Sequence, residues 1–255
     1  MKVLVLNPPS TVTKNYIRDL IYGCWCKGKR IGGATSPPLN LLYIATILKN
    51  DGHKVKFVDA LAEEKSIDDI KKIIKQTDVV IESTSQMSFT DDVHVLTQFK
   101  KANPKLVTIL FGSQPTFYPE EALDQKAVDI LVKREAEFII KDVLHLMEQG
   151  KDWGKVLGIA YRKNGKKIIN PDYPFSDVNK LPIPDRTFLP KNIDFFNPII
   201  KRMPYTTAMT SRGCPGLCTF CNVPDFYGKT DRFMTAERVI EEIKEIMKLG
   251  YREIW

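Results

Sequence analysis

The chain has 255 residues, of which 43% are hydrophobic and 27% charged, the composition of a globular protein. These proportions exclude a disordered, collagen-like or disulfide-stapled chain, and no apolar run reaches the roughly 20 residues that a membrane span needs. The formal charge is +7, but no basic run carries interleaved aromatic residues, so we expect no nucleic-acid partner. The first residues lack the pattern of a signal peptide, and we expect a cytoplasmic protein.

The first 150 residues alternate short apolar runs with helical patterns. The apolar runs predict five strands, at residues 2–7, 54–59, 78–82, 106–111 and 128–132. The helical patterns predict helices near residues 38–49, 66–76, 90–102, 119–123 and 135–147. Strands that alternate with helices form a parallel sheet covered on both faces, so residues 1–150 are predicted to form a doubly wound, Rossmann-like α/β domain.

Residues 151–204 are predicted to hold a hairpin and a linker. Asn164-Gly165 lies between two strand-like runs, which is a strong signal for a β-hairpin. Residues 171–204 then contain seven of the 16 prolines. That density excludes regular structure and marks a domain junction.

Residues 205–255 are predicted to start a second domain. Residues 205–211 form a strand-like run, Thr235 is a suitable N-cap for a helix that ends near residue 249, and residues 253–255 open another strand. A unit of about 50 residues cannot bury its own core. We therefore expect the chain to be a fragment of a longer protein, truncated within this second domain.

Three cysteines follow the strand-like run at the spacing Cys-x3-Cys-x2-Cys, namely Cys214, Cys218 and Cys221. Structural zinc and electron-transfer iron–sulfur clusters use four ligands, and no fourth Cys or His is near in the sequence. Three thiolates on one loop therefore predict a metal centre with an open coordination position. A zinc site completed elsewhere and three unrelated thiols are the alternatives. Cys24-Trp25-Cys26 is interpreted as a loop with an aromatic anchor and two free thiols.

The cysteine loop resembles the signature of radical S-adenosylmethionine enzymes, including the aromatic Phe220 just before the last Cys. Gly228, Arg232 and Thr235 resemble that family's lead-in to the first helix of a partial (β/α) barrel. The resemblance implies that the three cysteines hold a 4Fe–4S cluster, whose fourth iron binds S-adenosylmethionine, and that Phe220 lies near its adenine. Electron transfer from the cluster would then give a 5′-deoxyadenosyl radical. Residues 205–255 would be the first part of the barrel.

The N-terminal part resembles the class of these proteins with a cobalamin-binding-type domain. The matching segments are Asn7-Pro8-Pro9, residues 37–45, Asp59-Ala60, Gly112 and residues 134–137. Ligands of doubly wound domains lie beyond the carboxyl ends of the strands. The cobalamin contacts predicted there are Asn7, Pro8, Ser83, Thr84, Ser85, Gly112, Ser113 and Glu135. The segment after Asp59 lacks the His of the Asp-x-His-x-x-Gly motif, so cobalt would be bound without a protein histidine below it.

Glu82 ends an apolar strand, where burial would raise the pKa of a carboxyl group. It could face the ligand, but we favour its interpretation as a hydrogen-bonded loop carboxylate.

The resemblance implies an enzyme that uses the cluster to cleave S-adenosylmethionine and transfers a methyl group from cobalamin to an unactivated carbon. Its partners would be a small-molecule substrate and an external electron donor. A radical cyclase or rearrangement enzyme without methylation is one alternative, and in another the first domain is an empty scaffold. A non-catalytic zinc-binding interaction module is the alternative from another class.

Overall fold

The computed structural model describes residues 1–12, 18, 35–191, 193 and 195–255, so Cys24-Trp25-Cys26 lies outside the described residues. The strands are β1 (Lys2–Asn7), β2 (Lys54–Asp59), β3 (Val79–Thr84), β4 (Val107–Gly112), β5 (Ile130–Val132), β6 (Ile159–Lys163), β7 (Lys166–Ile169), β8 (Tyr205–Thr206), β9 (Ser211–Arg212), β10 (Arg232–Phe233) and β11 (Glu253–Ile254). The helices are α1 (Leu39–Asn50), α2 (Ile67–Ile74), α3 (Phe89–Ala102), α4 (Ser113–Phe117), α5 (Pro119–Leu123), α6 (Ala136–Glu148), α7 (Val223–Tyr227) and α8 (Ala236–Lys248).

Seven strands of the described chain form one sheet in the order β2-β1-β3-β4-β5-β6-β7. The first five are parallel, which confirms the predicted doubly wound α/β fold. Strand side chains alternate between an α1/α6 face, as at Val3 and Val5, and an α2/α3 face, as at Leu4 and Leu6. The strand order reverses between β1 and β3, and ligands of such sheets bind outside the carboxyl ends at this reversal.

The hairpin extends this sheet. Strands β6 and β7 are joined at Asn164 and Gly165, which adopt the positive φ angles of 52° and 75° that such a turn requires. Strand β6 runs antiparallel to β5, with Leu131 opposite Ala160. The hairpin therefore shares its core with the residues before it, although residues 151–204 are predicted to lie between two domains.

Helix α1 is apolar around most of its circumference, and nine of its twelve residues are buried. Leu41, Ile44 and Leu48 pack on the sheet. Its other side is covered by later parts of the chain. Leu39, Tyr43 and Ile47 contact a cluster that includes Val178, Leu181, Met209 and Met234. A helix that is apolar all round must be covered on all sides, so α1 lies between the sheet and the C-terminal residues.

Strands β8 and β11 are parallel and are connected through α8, which forms one βαβ unit. The side chain of Thr235 accepts a hydrogen bond from the backbone N–H of Arg238, so the predicted helix cap is confirmed. The single strand predicted over residues 205–211 is instead two short strands, because β9 turns away to pair with β10. Among the described helices, none combines the length and apolar character that a membrane crossing requires.

A buried ion pair attaches the linker to the βαβ unit. Nη2 of Arg186 lies 2.6 Å from Oε1 of Glu242 on α8, and the two side chains are 1% and 3% exposed. Arg186 also donates to the carbonyl oxygen of Thr207 at 2.7 Å. Arg238 reaches the second carboxylate oxygen of Glu242 at 3.1 Å. One carboxylate therefore compensates two guanidinium groups in a place that water hardly reaches.

We predict that Glu242→Gln lowers the free energy of unfolding by about 3 kcal/mol, because it leaves the buried guanidinium of Arg186 without a negative partner. Equilibrium urea unfolding of the parent and the variant measures this difference. A loss below about 1 kcal/mol, the value of an exposed pair, would contradict the buried assignment.

Candidate functional site

The predicted cobalamin contacts all lie at the carboxyl edge of the sheet or directly after it. They are Asn7, Pro8, Ser83, Thr84, Ser85, Gly112, Ser113 and Glu135, at the ends of β1, β3 and β4 and at the N-terminus of α6. The edge includes the reversal of strand order between β1 and β3. The fold therefore brings together residues from four parts of the chain that are distant in sequence.

A buried polar network lies under this edge and centres on Asp92 of α3. Nη2 of Arg18 lies 2.6 Å from Oδ1 of Asp92, and both side chains are almost fully buried. Thr84 and Ser88 each donate a hydroxyl to Oδ2 of Asp92 at 2.7 Å. The carboxylate of Asp92 therefore accepts hydrogen bonds from three side chains. The sequence analysis missed Arg18 and Asp92.

Asn7 and Asp59 extend this network to the ends of β1 and β2. The side-chain amide of Asn7 donates to Oδ1 of Asp59 at 2.8 Å, and Arg18 donates to Oδ1 of Asn7 at 3.1 Å. Burial raises the pKa of Asp59 to about 6, although hydrogen bonds from Ala62 and Asn7 oppose this effect. The amide of Asn7 is thus already engaged on both sides by protein groups.

Glu82 lies inside β3 and is fully buried. Strand alternation places its side chain on the α2/α3 face with Val80. Neither carboxyl oxygen has a hydrogen-bond partner among the described atoms, so the interpretation as a hydrogen-bonded loop carboxylate is wrong. Burial raises the pKa of Glu82 well above its usual value, and the nearby Asp92 raises it further while Arg18 opposes both effects. Burial therefore favours the protonated, neutral form of Glu82.

The end of β4 turns sharply into α4, a helix that the apolar pattern did not predict. Gly112 has φ of 120°, and a Cβ there would overlap the carbonyl oxygen of Thr84 on β3. Only glycine allows the two strand ends to approach this closely. The hydroxyl of Ser113 then accepts a hydrogen bond from the backbone N–H of Gln86 at 3.2 Å. Gln86 and Met87 are exposed beside it.

The three cysteines lie on one loop between β9 and α7. Cys214 and Cys221 are partly buried and Cys218 is exposed. Gly213 begins the loop with φ of 98°, and a Cβ there would overlap the carbonyl oxygen of Thr230. The backbone N–H of Cys214 donates to Gly228 at 3.1 Å, so the start of the loop is held by backbone contacts.

The sulfur atoms of Cys214 and Cys218 both lie close to Gly216. A Cβ on Gly216 would lie 3.3 Å from Sγ of Cys214 and 3.8 Å from Sγ of Cys218, so the two sulfurs flank this glycine. In the described part of the chain, no three His, Cys, Asp or Glu side chains converge on one metal position. A 4Fe–4S cluster takes each thiolate on a different iron and needs sulfurs that are spread around a face.

Phe220 and Leu217 point into solvent, with 84% and 89% of their surface exposed. Two large apolar side chains this exposed on one short loop are unusual, because apolar groups gain free energy when they are buried. The loop therefore presents an apolar surface beside the three sulfurs. Phe220, the predicted S-adenosylmethionine contact, is accessible there and adjoins Cys221.

The cysteine loop is held against the carboxyl edge of the sheet. Arg212, two residues before Cys214, donates from Nη1 to Oε2 of Glu137 on α6 at 3.2 Å. On the other side of the loop, the ring of Phe226 in α7 lies 6.2 Å from that of Phe117 in α4. The cavity of about 20 Å³ that remains at this contact has room for about one water molecule.

The N-terminal part is similar to a known family of domains. Residues 32–144 match the family of B12 binding domains. The chain is 33% identical to an uncharacterized methyltransferase of Pyrococcus horikoshii, an alignment that covers the whole chain and 52% of that protein. It is 26% identical to cytidylyl-2-hydroxyethylphosphonate methyltransferase of Streptomyces wedmorensis, over 95% of the chain and 51% of that protein. The chain thus spans about half the length of these curated relatives.

Another relative has a different reaction in its name. Anaerobic magnesium-protoporphyrin IX monomethyl ester cyclase of Rubrivivax gelatinosus is 29% identical over 83% of the chain and 39% of that protein.

Solved structures share the fold at low sequence identity. The cobalamin-dependent S-adenosylmethionine radical enzyme OxsB with aqua-cobalamin bound superposes with a TM-score of 0.73 at 17% identity, over 98% of this chain and 32% of that one. The radical S-adenosylmethionine methyltransferase TsrM from Kitasatospora setae gives 0.65 at 14% identity, over 99% and 47%. The predicted resemblance to radical S-adenosylmethionine proteins with an N-terminal cobalamin-binding-type domain is confirmed at the level of the fold, and for residues 32–144 by the match to B12 binding domains.

We predict that Glu82→Gln makes the protein more stable at neutral pH. A buried acid with a raised pKa binds its proton more tightly in the folded state, so stability falls as pH rises above the unfolded pKa near 4.5. Glutamine has the same shape and does not ionise, so the gain should be absent below pH 4 and grow towards pH 8. Thermal unfolding across this range measures it.

Glu241→Gln is the matched control, because Glu241 is exposed on α8. Its effect on stability should not change in the same way with pH. A difference between parent and Glu82→Gln that stays constant from pH 4 to pH 8 would contradict the raised pKa.

Proposed function

We propose that the chain is part of a radical S-adenosylmethionine enzyme that transfers a methyl group from cobalamin to an unactivated carbon of a small molecule. One observation carries the proposal: the loop of Cys214, Cys218 and Cys221 is docked on the carboxyl edge of a sheet whose residues match B12 binding domains. In this arrangement a metal centre on the loop and a ligand on the edge would be neighbours, as transfer between them requires.

The three cysteines would hold the cluster. Three thiolates on three irons leave the fourth iron open, and the amino and carboxylate groups of S-adenosylmethionine suit this position. When bound, the cluster and S-adenosylmethionine would supply a radical that abstracts hydrogen from the substrate, with electrons from an external donor. The chain contributes the thiolates, the glycine turn at Gly213 and the accessible ring of Phe220 beside Cys221.

Cobalamin would lie at the ends of β1, β3 and β4, where it would supply the methyl group. The side chains at this edge are short, and those of Thr84, Ser85 and Ser113 are buried, so a corrin could approach the backbone there. Glu82, whose oxygens have no partner among the described atoms, lies directly behind it. No histidine occurs in the segment after Asp59, so cobalt would have no histidine ligand from that segment.

The names of the relatives support methyl transfer over cyclisation. Two relatives that match 100% and 95% of the chain are called methyltransferases, whereas the cyclases of Rubrivivax gelatinosus and Synechocystis match 83% and 90%. Radical cyclisation uses the same cluster chemistry, so product analysis separates the two reactions. The identity of the bound metal distinguishes a zinc-binding interaction module from both radical enzymes before any product is analysed.

We predict that anaerobic reconstitution of the full-length protein with iron and sulfide yields about four irons per chain. A Cys214→Ala, Cys218→Ala, Cys221→Ala variant should bind none at this site. Adding S-adenosylmethionine should change the electron paramagnetic resonance spectrum of the reduced parent cluster, because the open iron gains two ligands. One zinc per chain, or equal iron in parent and variant, would refute the cluster.

We also predict that hydroxocobalamin binds with a change in its visible spectrum and that Gln86→Trp weakens binding at least tenfold. Gln86 is exposed at the carboxyl edge, where an indole would occupy space that the corrin needs. The matched control is Lys105→Trp, which places the same bulk in an exposed position before β4, at the amino edge. No spectral change in the parent would mean that the domain is an empty scaffold.

A further inference from the structure

Arg212 and Glu137 form a buried contact between the cysteine loop and the sheet domain. Their side chains are 1% and 5% exposed, and both carboxylate oxygens of Glu137 accept from the two terminal nitrogens of Arg212. The guanidinium also lies near two aromatic rings, 5.9 Å from the centre of Tyr43 on α1 and 5.6 Å from that of Tyr227 on α7. A planar, bidentate contact of this kind fixes orientation as well as distance.

Arg232 and Glu135 form a second contact beside the first. Nη1 of Arg232 donates to Oε2 of Glu135 at 3.0 Å, and Nη2 contacts Oε1. The backbone N–H of Ser176 donates to the same Oε2 at 3.1 Å. The ring of Phe175 stacks under the guanidinium with its centre 4.9 Å away. Both oxygens of Glu135 are therefore occupied by protein donors.

Arg212 and Arg232 lie on the two paired strands of one small sheet. Arg212 of β9 lies directly opposite Arg232 of β10 in the two-stranded ribbon. The loop with the three cysteines and α7 lies between these strands in sequence. Glu135 and Glu137 are at the N-terminus of α6, where the helix dipole also favours negative charge. Two carboxylates on one rigid helix end thus hold both strands from which the cysteine loop emerges.

We propose that Glu135 and Glu137 are positioning residues that clamp the cysteine loop to the carboxyl edge of the sheet, and that Glu135 is not a cobalamin contact. This inference rests on the proposed function only for what the clamp would achieve. It would keep the cluster at a fixed distance from cobalamin. The carboxylate oxygens of both residues accept hydrogen bonds from arginine side chains, and Oε2 of Glu135 also accepts one from the backbone of Ser176, so both carboxylates are directed towards the protein.

The experiment compares Glu135→Gln and Glu137→Gln in the full-length protein with Glu242→Gln. The Arg186–Glu242 pair is the matched control because it is buried to the same degree, at 1% and 3% exposed, but does not contact the cysteine loop. Hydrogen exchange of backbone amides over residues 211–221 is the readout, measured without cofactors. We expect exchange over these residues to be at least tenfold faster in the two clamp variants than in the control, whose own change reports the effect of lost global stability.

A second readout separates the clamp from a ligand role. Hydroxocobalamin affinity of Glu135→Gln should stay within twofold of the parent, whereas loss of a cobalamin contact would lower it at least tenfold. Unchanged exchange over residues 211–221, or equally fast exchange in the control, would overturn the clamp. If the parent bound no cobalamin, the proposed function would fail, and the exchange result would still decide the clamp.

Discussion

Helix α1 carries apolar side chains on more than one side, and all of them must be buried by other residues. Much of the architecture follows from this requirement. The sheet covers Leu41, Ile44 and Leu48, which leaves Tyr43 and its neighbours to be buried by other residues. The linker and the βαβ unit supply that cover, with Val178, Leu181, Met209 and Met234. Burying such side chains contributes about 1.5–3 kcal/mol each, so the two halves of the chain are attached through apolar contacts on α1.

Apolar contacts alone hold the halves together but do not fix their orientation, because the hydrophobic effect has no direction. The polar contacts at the junction fix how the two halves are oriented. The guanidinium of Arg212 lies near the ring of Tyr43 on α1 and binds Glu137 on α6, so one side chain contacts both helices. Replacing such ion pairs with apolar residues can leave stability unchanged, so their value here lies in orientation. That orientation brings the three thiols to the edge that matches B12 binding domains.

Local patterns were sufficient to predict most of the fold. The five parallel strands, the hairpin at Asn164-Gly165 and the Thr235 cap follow from periodicity and turn chemistry over a few residues. Helix α4 was missed because its sequence, Ser-Gln-Pro-Thr-Phe, carries no helical period and contains a proline. The split of residues 205–211 into two strands depends on pairing with β10, about 20 residues later.

The site could be predicted less completely than the fold. Cysteine spacing is a local signal, and the carboxyl edge follows from topology, so both groups of residues could be named in advance. The contact between Arg212 and Glu137 spans 75 residues, and no local pattern indicates which arginine binds which carboxylate. Glu82 was misjudged because a lone charge in an apolar run suggests the end of a strand, whereas here β3 continues to Thr84 and is buried throughout.

The contacts at the junction predict a fixed separation between a cluster on the cysteine loop and cobalamin on the carboxyl edge. Pulsed electron paramagnetic resonance of the full-length protein, loaded with Co(II) cobalamin and the reduced cluster, measures the separation of the two spins. A single narrow distance distribution is the result that the account predicts. Two magnetically isolated centres, or a broad distribution in the parent protein, would contradict it.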